Sequence, residues 1–192
     1  MFFCTKKWYV FNNQFIALKM ILILIGYMAS GKSTLGRILA EKLNYDFLDL
    51  DDYIENEEKT TVSDIFKSKG EIYFRKAETK YLKHILENKT NLILSLGGGT
   101  PCYNDNMSLI LEAKHVKSIY LKASIPTLVT RLNKEKSKRP LIAHIETDEL
   151  LTEFIGKHLF ERNQFYSQAN ITVSTDNKTE TEIIEDLVLK LF

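Results

Sequence analysis

The 192-residue sequence predicts an α/β fold, with a parallel sheet covered by helices on both faces. Three observations carry this. Short apolar runs alternate with longer mixed stretches from Ile21 onward, as in strands joined by crossover helices. The run Ile21-Leu22-Ile23-Leu24-Ile25 is apolar at every position, which suits a strand buried on both faces. Directly after it, Gly26 to Ser33 fits the phosphate-loop pattern G-x-x-x-x-G-K-S/T, and a helical stretch follows.

The elements follow in order. Thr34 to Leu43 reads as a helix with Leu35, Ile38, Leu39 and Lys42-Leu43 on one side. Asp46-Phe47-Leu48-Asp49 is a short strand, after which Asp51 or Asp52 caps a helix to about Glu58. Thr61-Val62-Ser63-Asp64 has capping-box spacing and opens a helix that Gly70 ends. Glu71 to about Asn88 is a long helix with Ile72, Ala77, Tyr81 and His84-Ile85 inward. Asn91 to Leu96 is a strand stopped by Gly97-Gly98-Gly99. A helix near 104–113 and a strand over 116–121 come next. Ser124 then caps a helix with Pro126 in its first turn, running to about Asn133. Residues 135–145 are charged and irregular, the form of a lid. A helix over 147–167, a strand over 171–174 and a helix over 179–191 complete the chain.

Composition narrows the function classes. With 26 basic and 25 acidic residues the net charge is +1. No basic surplus points to nucleic acid or to an anionic membrane. No apolar run in residues 1–19 approaches a membrane span, and no cleavage site follows it. This stretch is rich in aromatics and lysine, without acid or a clear period. It reads as a poorly ordered upstream extension, with Met20 as the natural start and residues 20–192 as one domain. Cys4 and Cys102 lack the spacing of a disulfide scaffold or a zinc site, so reduced thiols in a cytoplasm are expected. His84, His115, His144 and His158 have no motif company and read as structural or surface residues.

The phosphate loop supplies chemistry. Its backbone N–H groups and the positive end of the helix behind it converge on an anion. Lys32 would reach the β- and γ-phosphates of ATP, and Ser33 would ligate Mg²⁺. Further clusters bear on the second substrate. Asp49 and Asp51 end the second strand, where one carboxylate can serve Mg²⁺ and the other a substrate hydroxyl. Helix capping explains them equally well. Arg75 and Arg162 would suit a planar carboxylate if they share a cleft, and surface ion pairs if they do not. Gly97-Gly98-Gly99 at a strand's C-terminal end lets the backbone approach a ligand. Arg139, in the irregular stretch, could close over a transferring phosphoryl group.

Taken together, Gly26-x-Met28-x-x-Gly31-Lys32-Ser33-Thr34, Phe47-Leu48-Asp49-Leu50-Asp51, Gly70-Glu71-x-x-Phe74-Arg75-x-x-Glu78, Leu96-Gly97-Gly98-Gly99 and Arg139-Pro140-Leu141 resemble shikimate kinase, from about residue 21 to the C-terminus. The resemblance implies a P-loop nucleoside monophosphate kinase-like fold, a three-layer sandwich with five parallel strands in the order 2-3-1-4-5. It implies phosphorylation of the 3-hydroxyl of shikimate by ATP with Mg²⁺, in aromatic amino-acid biosynthesis. Lys32, Asp51 and Arg139 would be catalytic, with Asp51 the candidate base. Ala29, Ser30, Gly31, Lys32, Ser33, Thr34, Arg131 and Arg139 would bind the nucleotide, and Ser33 and Asp49 the metal. Asp51, Arg75, Gly97, Gly98 and Arg162 would bind shikimate, the arginines through its carboxylate. Glu78 would support Arg75, while Phe66 and Phe74 would line the pocket's apolar side. No surplus apolar face stands out in the sequence, so a monomer is expected.

Two features depart from the family pattern. Ala29 stands where the family usually has glycine, and a positive φ there would strain the loop. Adenine contacts near 175–178 match only loosely. The rival readings are another small-alcohol kinase, such as a gluconate kinase, and a nucleotide-binding regulatory module without turnover. A GTPase is disfavoured because no N-K-x-D segment is present.

Overall fold

The computed structural model describes residues 20–136, 139 and 141–192. The expected upstream extension, residues 1–19, lies outside the described residues, as do Ser137, Lys138 and Pro140 of the expected lid.

Five strands form one parallel sheet: β1 (Ile21–Ile25), β2 (Asp46–Asp49), β3 (Leu92–Ser95), β4 (Val116–Lys122) and β5 (Ile171–Ser174). Their order is β2-β3-β1-β4-β5, as the resemblance implied. β1 is fully buried, with β3 on one side and β4 on the other. Its all-apolar sequence follows from that place, because helices cover both faces of a parallel sheet. One core layer gathers Ile21, Ile23 and Ile25 with helices α2 (Leu50–Glu58), α3 (Val62–Asn88) and α6 (Asp148–Tyr166). The other gathers Leu22 and Leu24 with α1 (Lys32–Leu43) and α7 (Glu180–Leu191). Chain order reverses at β1, so the crevice at the strands' C-terminal ends opens there.

Several boundaries differ from the sequence expectation. α1 begins at Lys32 and buries Leu35, Gly36, Leu39 and Ala40, leaving Lys42 exposed. α2 is capped by Asp49, whose carboxylate accepts from Asp51 N at 3.1 Å. Asp51 and Asp52 therefore lie in its first turn rather than capping it. Within α3 the buried stripe is Phe74, Ala77, Glu78, Tyr81, Leu82, Ile85 and Leu86. Ile72 and His84 are exposed instead of inward, because Phe74 sets the stripe's phase and Ile72 falls about 200° away around the helix. Gly70 does end the regular helix: its φ of 79° and ψ of 172° kink α3 into two halves.

The segment expected near 104–113 is a shorter α4 (Asn106–Glu112) behind a 3₁₀ turn, Thr100–Cys102. α5 (Ile125–Glu135) takes Ser124 as its cap, as expected. Beyond it, Ile142 and Ile145 are buried in the core, so the irregular stretch is anchored at its far end. Among the described residues no helix is long and apolar enough to cross a membrane.

Candidate active site

The phosphate loop wraps the start of α1. Gly26 (φ 146°) and Gly31 (φ 98°) hold backbone conformations that side chains resist. At Gly26 an added Cβ would also stand 2.8 Å from the Leu121 carbonyl. Gly31 caps α1 with no side-chain hydrogen bond, which leaves the first amides of the helix directed at the loop. Ala29 has φ 60°. Alanine thus occupies the left-handed conformation, at about 1–2 kcal/mol relative to glycine. Lys32 is partly buried, and its Nζ donates to the carbonyls of Gly26 and Tyr27, each at 3.0 Å. Burial, opposed by Asp49 and Asp51, lowers its pKa to about 8.

A cavity of about 570 Å³ opens in front of this loop. Asp49, Asp51, Gly97, Gly98, Arg131 and Arg139 line it together with loop residues 28–35. Ser33 Oγ donates to Asp49 Oδ2 at 3.0 Å, while Asp49 Oδ1 caps α2. Asp51 Oδ1 is buried without a hydrogen-bond partner. Burial, reinforced by Asp49 and Glu78 and opposed by Lys32, raises the Asp51 pKa to about 7. An unpartnered carboxylate oxygen in a cleft is a group ready to accept a ligand's proton donor.

Arg75 and Arg162 do not line that cavity; they flank the glycine loop beside it. A Cβ built on Gly98 would stand 3.6 Å from Arg162 Nη1, and one on Gly99 would stand 3.1 Å from Arg75 Nη1. Arg75 Nη1 donates to Glu78 Oε2 at 2.8 Å, the i+3 support expected for it. Glu78 is buried, and its other oxygen accepts from the Thr100 hydroxyl. The Arg75 guanidinium also lies 3.9 Å from the Tyr103 ring and 5.5 Å from Phe74. The Phe66 and Phe74 rings meet at a tilt of 40°, with centroids 4.7 Å apart.

On the opposite flank Arg131 bridges two segments. Its Nη1 donates to the Ala29 carbonyl and the Thr175 hydroxyl, both at 3.2 Å, and its Nη2 to the Thr175 carbonyl at 3.0 Å. Arg139 donates from Nε and Nη2 to Glu135 Oε2, at 2.9 and 2.6 Å.

The shikimate kinase family model matches residues 28–192. The chain belongs to the shikimate kinase family. Shikimate kinase from Flavobacterium psychrophilum is 48% identical over 171 residues, covering 89% of this chain and 98% of that protein. Among solved structures, shikimate kinase from Bacteroides thetaiotaomicron superposes with a TM-score of 0.80 at 37% identity, over 90% of this chain and 96% of that one. Shikimate kinase from Acinetobacter baumannii, solved in complex with shikimate, gives 0.77 at 28% identity, over 90% and 92%. Family membership makes this chain an ATP-dependent kinase.

Of the site residues expected from the sequence, all line the cavity except Arg75 and Arg162, which flank the glycine loop beside it. Others were missed. Thr175, Lys178, Thr179, Glu180 and Ile183 line the cavity beside Arg131. For Thr175 and Lys178 the sequence offered only the loose match near 175–178, and for Thr179, Glu180 and Ile183 nothing beyond their place after the last strand. Tyr166, which donates to the Gly98 carbonyl, and Thr100, which donates to Glu78, gave no signal at all. His158 is a structural partner of the loop residue Tyr27, at 2.9 Å.

Proposed function

We propose that the protein transfers the γ-phosphoryl group of ATP to the 3-hydroxyl of shikimate, giving 3-phosphoshikimate and ADP on the route to aromatic amino acids. The observation that supports this most is the convergence around Gly97–Gly99 of an unpartnered Asp51 oxygen with Arg75 and Arg162. A hydroxy acid needs such a set: an acceptor for its hydroxyl and guanidinium forks for its carboxylate.

Ser33 and Asp49 fit a magnesium ion. Both are hard oxygen donors beside the phosphate loop, and Mg²⁺ needs only one or two carboxylates in addition to substrate phosphates. Among the described residues no group of three or more His, Cys, Asp or Glu gathers as a protein-only cage. When bound, the ion would neutralise charge on the phosphate oxygens. The amides at the start of α1 would cradle the phosphates, and Lys32 would exchange the Gly26 and Tyr27 carbonyls for phosphate oxygens. Arg139 would leave Glu135 to cover the γ-phosphoryl group as residues 135–145 close. Asp51 would orient the 3-hydroxyl and take its proton as the hydroxyl oxygen bonds to phosphorus and the bond to ADP breaks. The transition state is loose, so orientation and charge neutralisation outweigh base strength. Arg131 and Thr175 would flank the adenine. The same reading has the enzyme acting as a cytoplasmic monomer, with neither nucleic acid nor membrane as partner.

Coupled detection of ADP with ATP and Mg²⁺, against shikimate, quinate, gluconate and no acceptor, tests the reading. Turnover that requires shikimate is the expected result. Preference for gluconate would install the rival kinase, and nucleotide binding without turnover on any acceptor would favour a regulatory module.

A further inference from the structure

Glu58 ends α2 and does not line the cavity, yet its carboxylate takes three hydrogen bonds. Oε2 accepts from Lys69 Nζ at 2.9 Å and from the Tyr73 hydroxyl at 2.7 Å, and Oε1 accepts from the Tyr81 hydroxyl at 2.9 Å. Lys69 Nζ also lies 4.3 Å over the Tyr73 ring and 3.1 Å from its hydroxyl. The Glu58 side chain is 11% exposed. These donors hold its pKa down to about 2, so it stays charged across any working pH.

The three donors straddle the kink in α3. Lys69 immediately precedes Gly70, whereas Tyr73 and Tyr81 follow it. No heavy atom lies within 4 Å of a Cβ built on Gly70, so side-chain packing does not brace the backbone at that point. A glycine with positive φ between two helical halves is a joint. The halves carry different parts of the acceptor side. Phe66 belongs to the first, Phe74 and Arg75 to the second, and the Arg75 guanidinium lies 6.0 Å from the Phe66 ring. Whatever fixes the angle at Gly70 therefore fixes Phe66 relative to Arg75.

We infer that Glu58 is a positioning residue for acceptor binding: by clasping Lys69, Tyr73 and Tyr81 across the Gly70 joint, it holds Phe66 against Arg75. The inference rests on the reading of Arg75 as the acceptor's carboxylate ligand. Its energetic basis is a charged hydrogen-bond cluster, and each such bond matters most where one partner is nearly buried. A clasp that acts only on geometry at the acceptor side should alter acceptor KM and leave the nucleotide side alone.

Steady-state kinetics of Glu58→Ala, Glu58→Gln and Tyr73→Phe, with shikimate and ATP varied separately, test this. Glu58→Ala should raise shikimate KM about tenfold, with kcat and ATP KM within about twofold of wild type. Glu58→Gln keeps oxygen and volume and should recover part of the loss. Tyr73→Phe removes only one hydroxyl, from a side chain at the surface, and should raise shikimate KM about threefold. That variant decides the matter should Glu58→Ala fail to fold. Unchanged shikimate KM in the soluble variants, or equal losses in kcat and both KM values, would overturn the inference. Wild-type protein that does not turn over shikimate would overturn the acceptor reading and this inference with it, a result visible before any variant is made.

Discussion

On the proposed reading, the loop that would cradle the phosphates is one uninterrupted stretch, Gly26 to Thr34, joined from beyond α5 by Arg139. The proposed acceptor side draws Asp51 from α2, Arg75 from α3, Gly97–Gly99 from the turn after β3 and Arg162 from α6. The first side would bind through backbone amides and a helix end, which any chain folding into that turn must present. The second would bind through side chains that ion pairs and ring contacts hold in place, Glu78 under Arg75 being the clearest case. Substitutions should therefore separate the two sides.

The largest separation is expected at the two cations on the phosphate side. Arg139→Ala should lower kcat by about 10³-fold or more, and Lys32→Ala by about 10²–10³-fold. Shikimate KM should hardly change in either, as initial-rate measurements can check. If acceptor KM rises in parallel, the two sides are not independent.

Arg75→Ala and Arg162→Ala come next. Each should weaken shikimate binding about 10- to 100-fold through loss of a charged hydrogen-bond partner. Calorimetric titration of ATP into the same variants should give wild-type affinity. Lost ATP affinity would contradict the assignment of these arginines to the acceptor.

The pH profile sharpens the comparison, because each side has a displaced titration. Asp51, raised to about 7, must ionise to take a proton, and Lys32, lowered to about 8, must keep its charge. The kcat/KM of the free enzyme should then peak between about pH 7 and 8 and fall on both sides. Stability follows the same groups. Between about pH 4 and 7 the folded chain retains a proton on Asp51 that the unfolded chain has lost, so native stability falls as pH rises through that window. Asp51→Asn removes the titration. Its thermal midpoint relative to wild type should therefore be more favourable at pH 8 than at pH 5, while its turnover drops and the acid limb disappears.

Ala29→Gly should have the smallest effect. Relief of the left-handed alanine stabilises by about 1–2 kcal/mol, and the freer unfolded chain gives back about 0.4–1 kcal/mol. The net is a rise of a few degrees at most in a melting scan. A lower midpoint would mean that the Ala29 methyl group makes contacts that outweigh its strain.

How much of this was legible in the sequence divides along the same line. The phosphate loop, the alternation of strands and helices, and the caps at Thr61 and Ser124 all lie within a few residues of the groups they serve. Hydrogen bonds and periodicity over such distances are written in the local order of residues. For Arg75 and Arg162 the residue types were visible, but no spacing says that positions 87 apart face one glycine loop. Only the parallel sheet, in its order β2-β3-β1-β4-β5, brings their helices to the same crevice.

The sequence by itself determined the fold class, the glycine-rich loop between β1 and α1 and the family. Tertiary structure alone decided four things: that Asp49 rather than Asp51 caps α2, that Ala29 is left-handed, that Arg131 ties Ala29 to Thr175, and that Glu58 clasps both halves of α3. Each of these depends on where distant elements come to rest, and that is set by burial against the sheet rather than by any nearby residue.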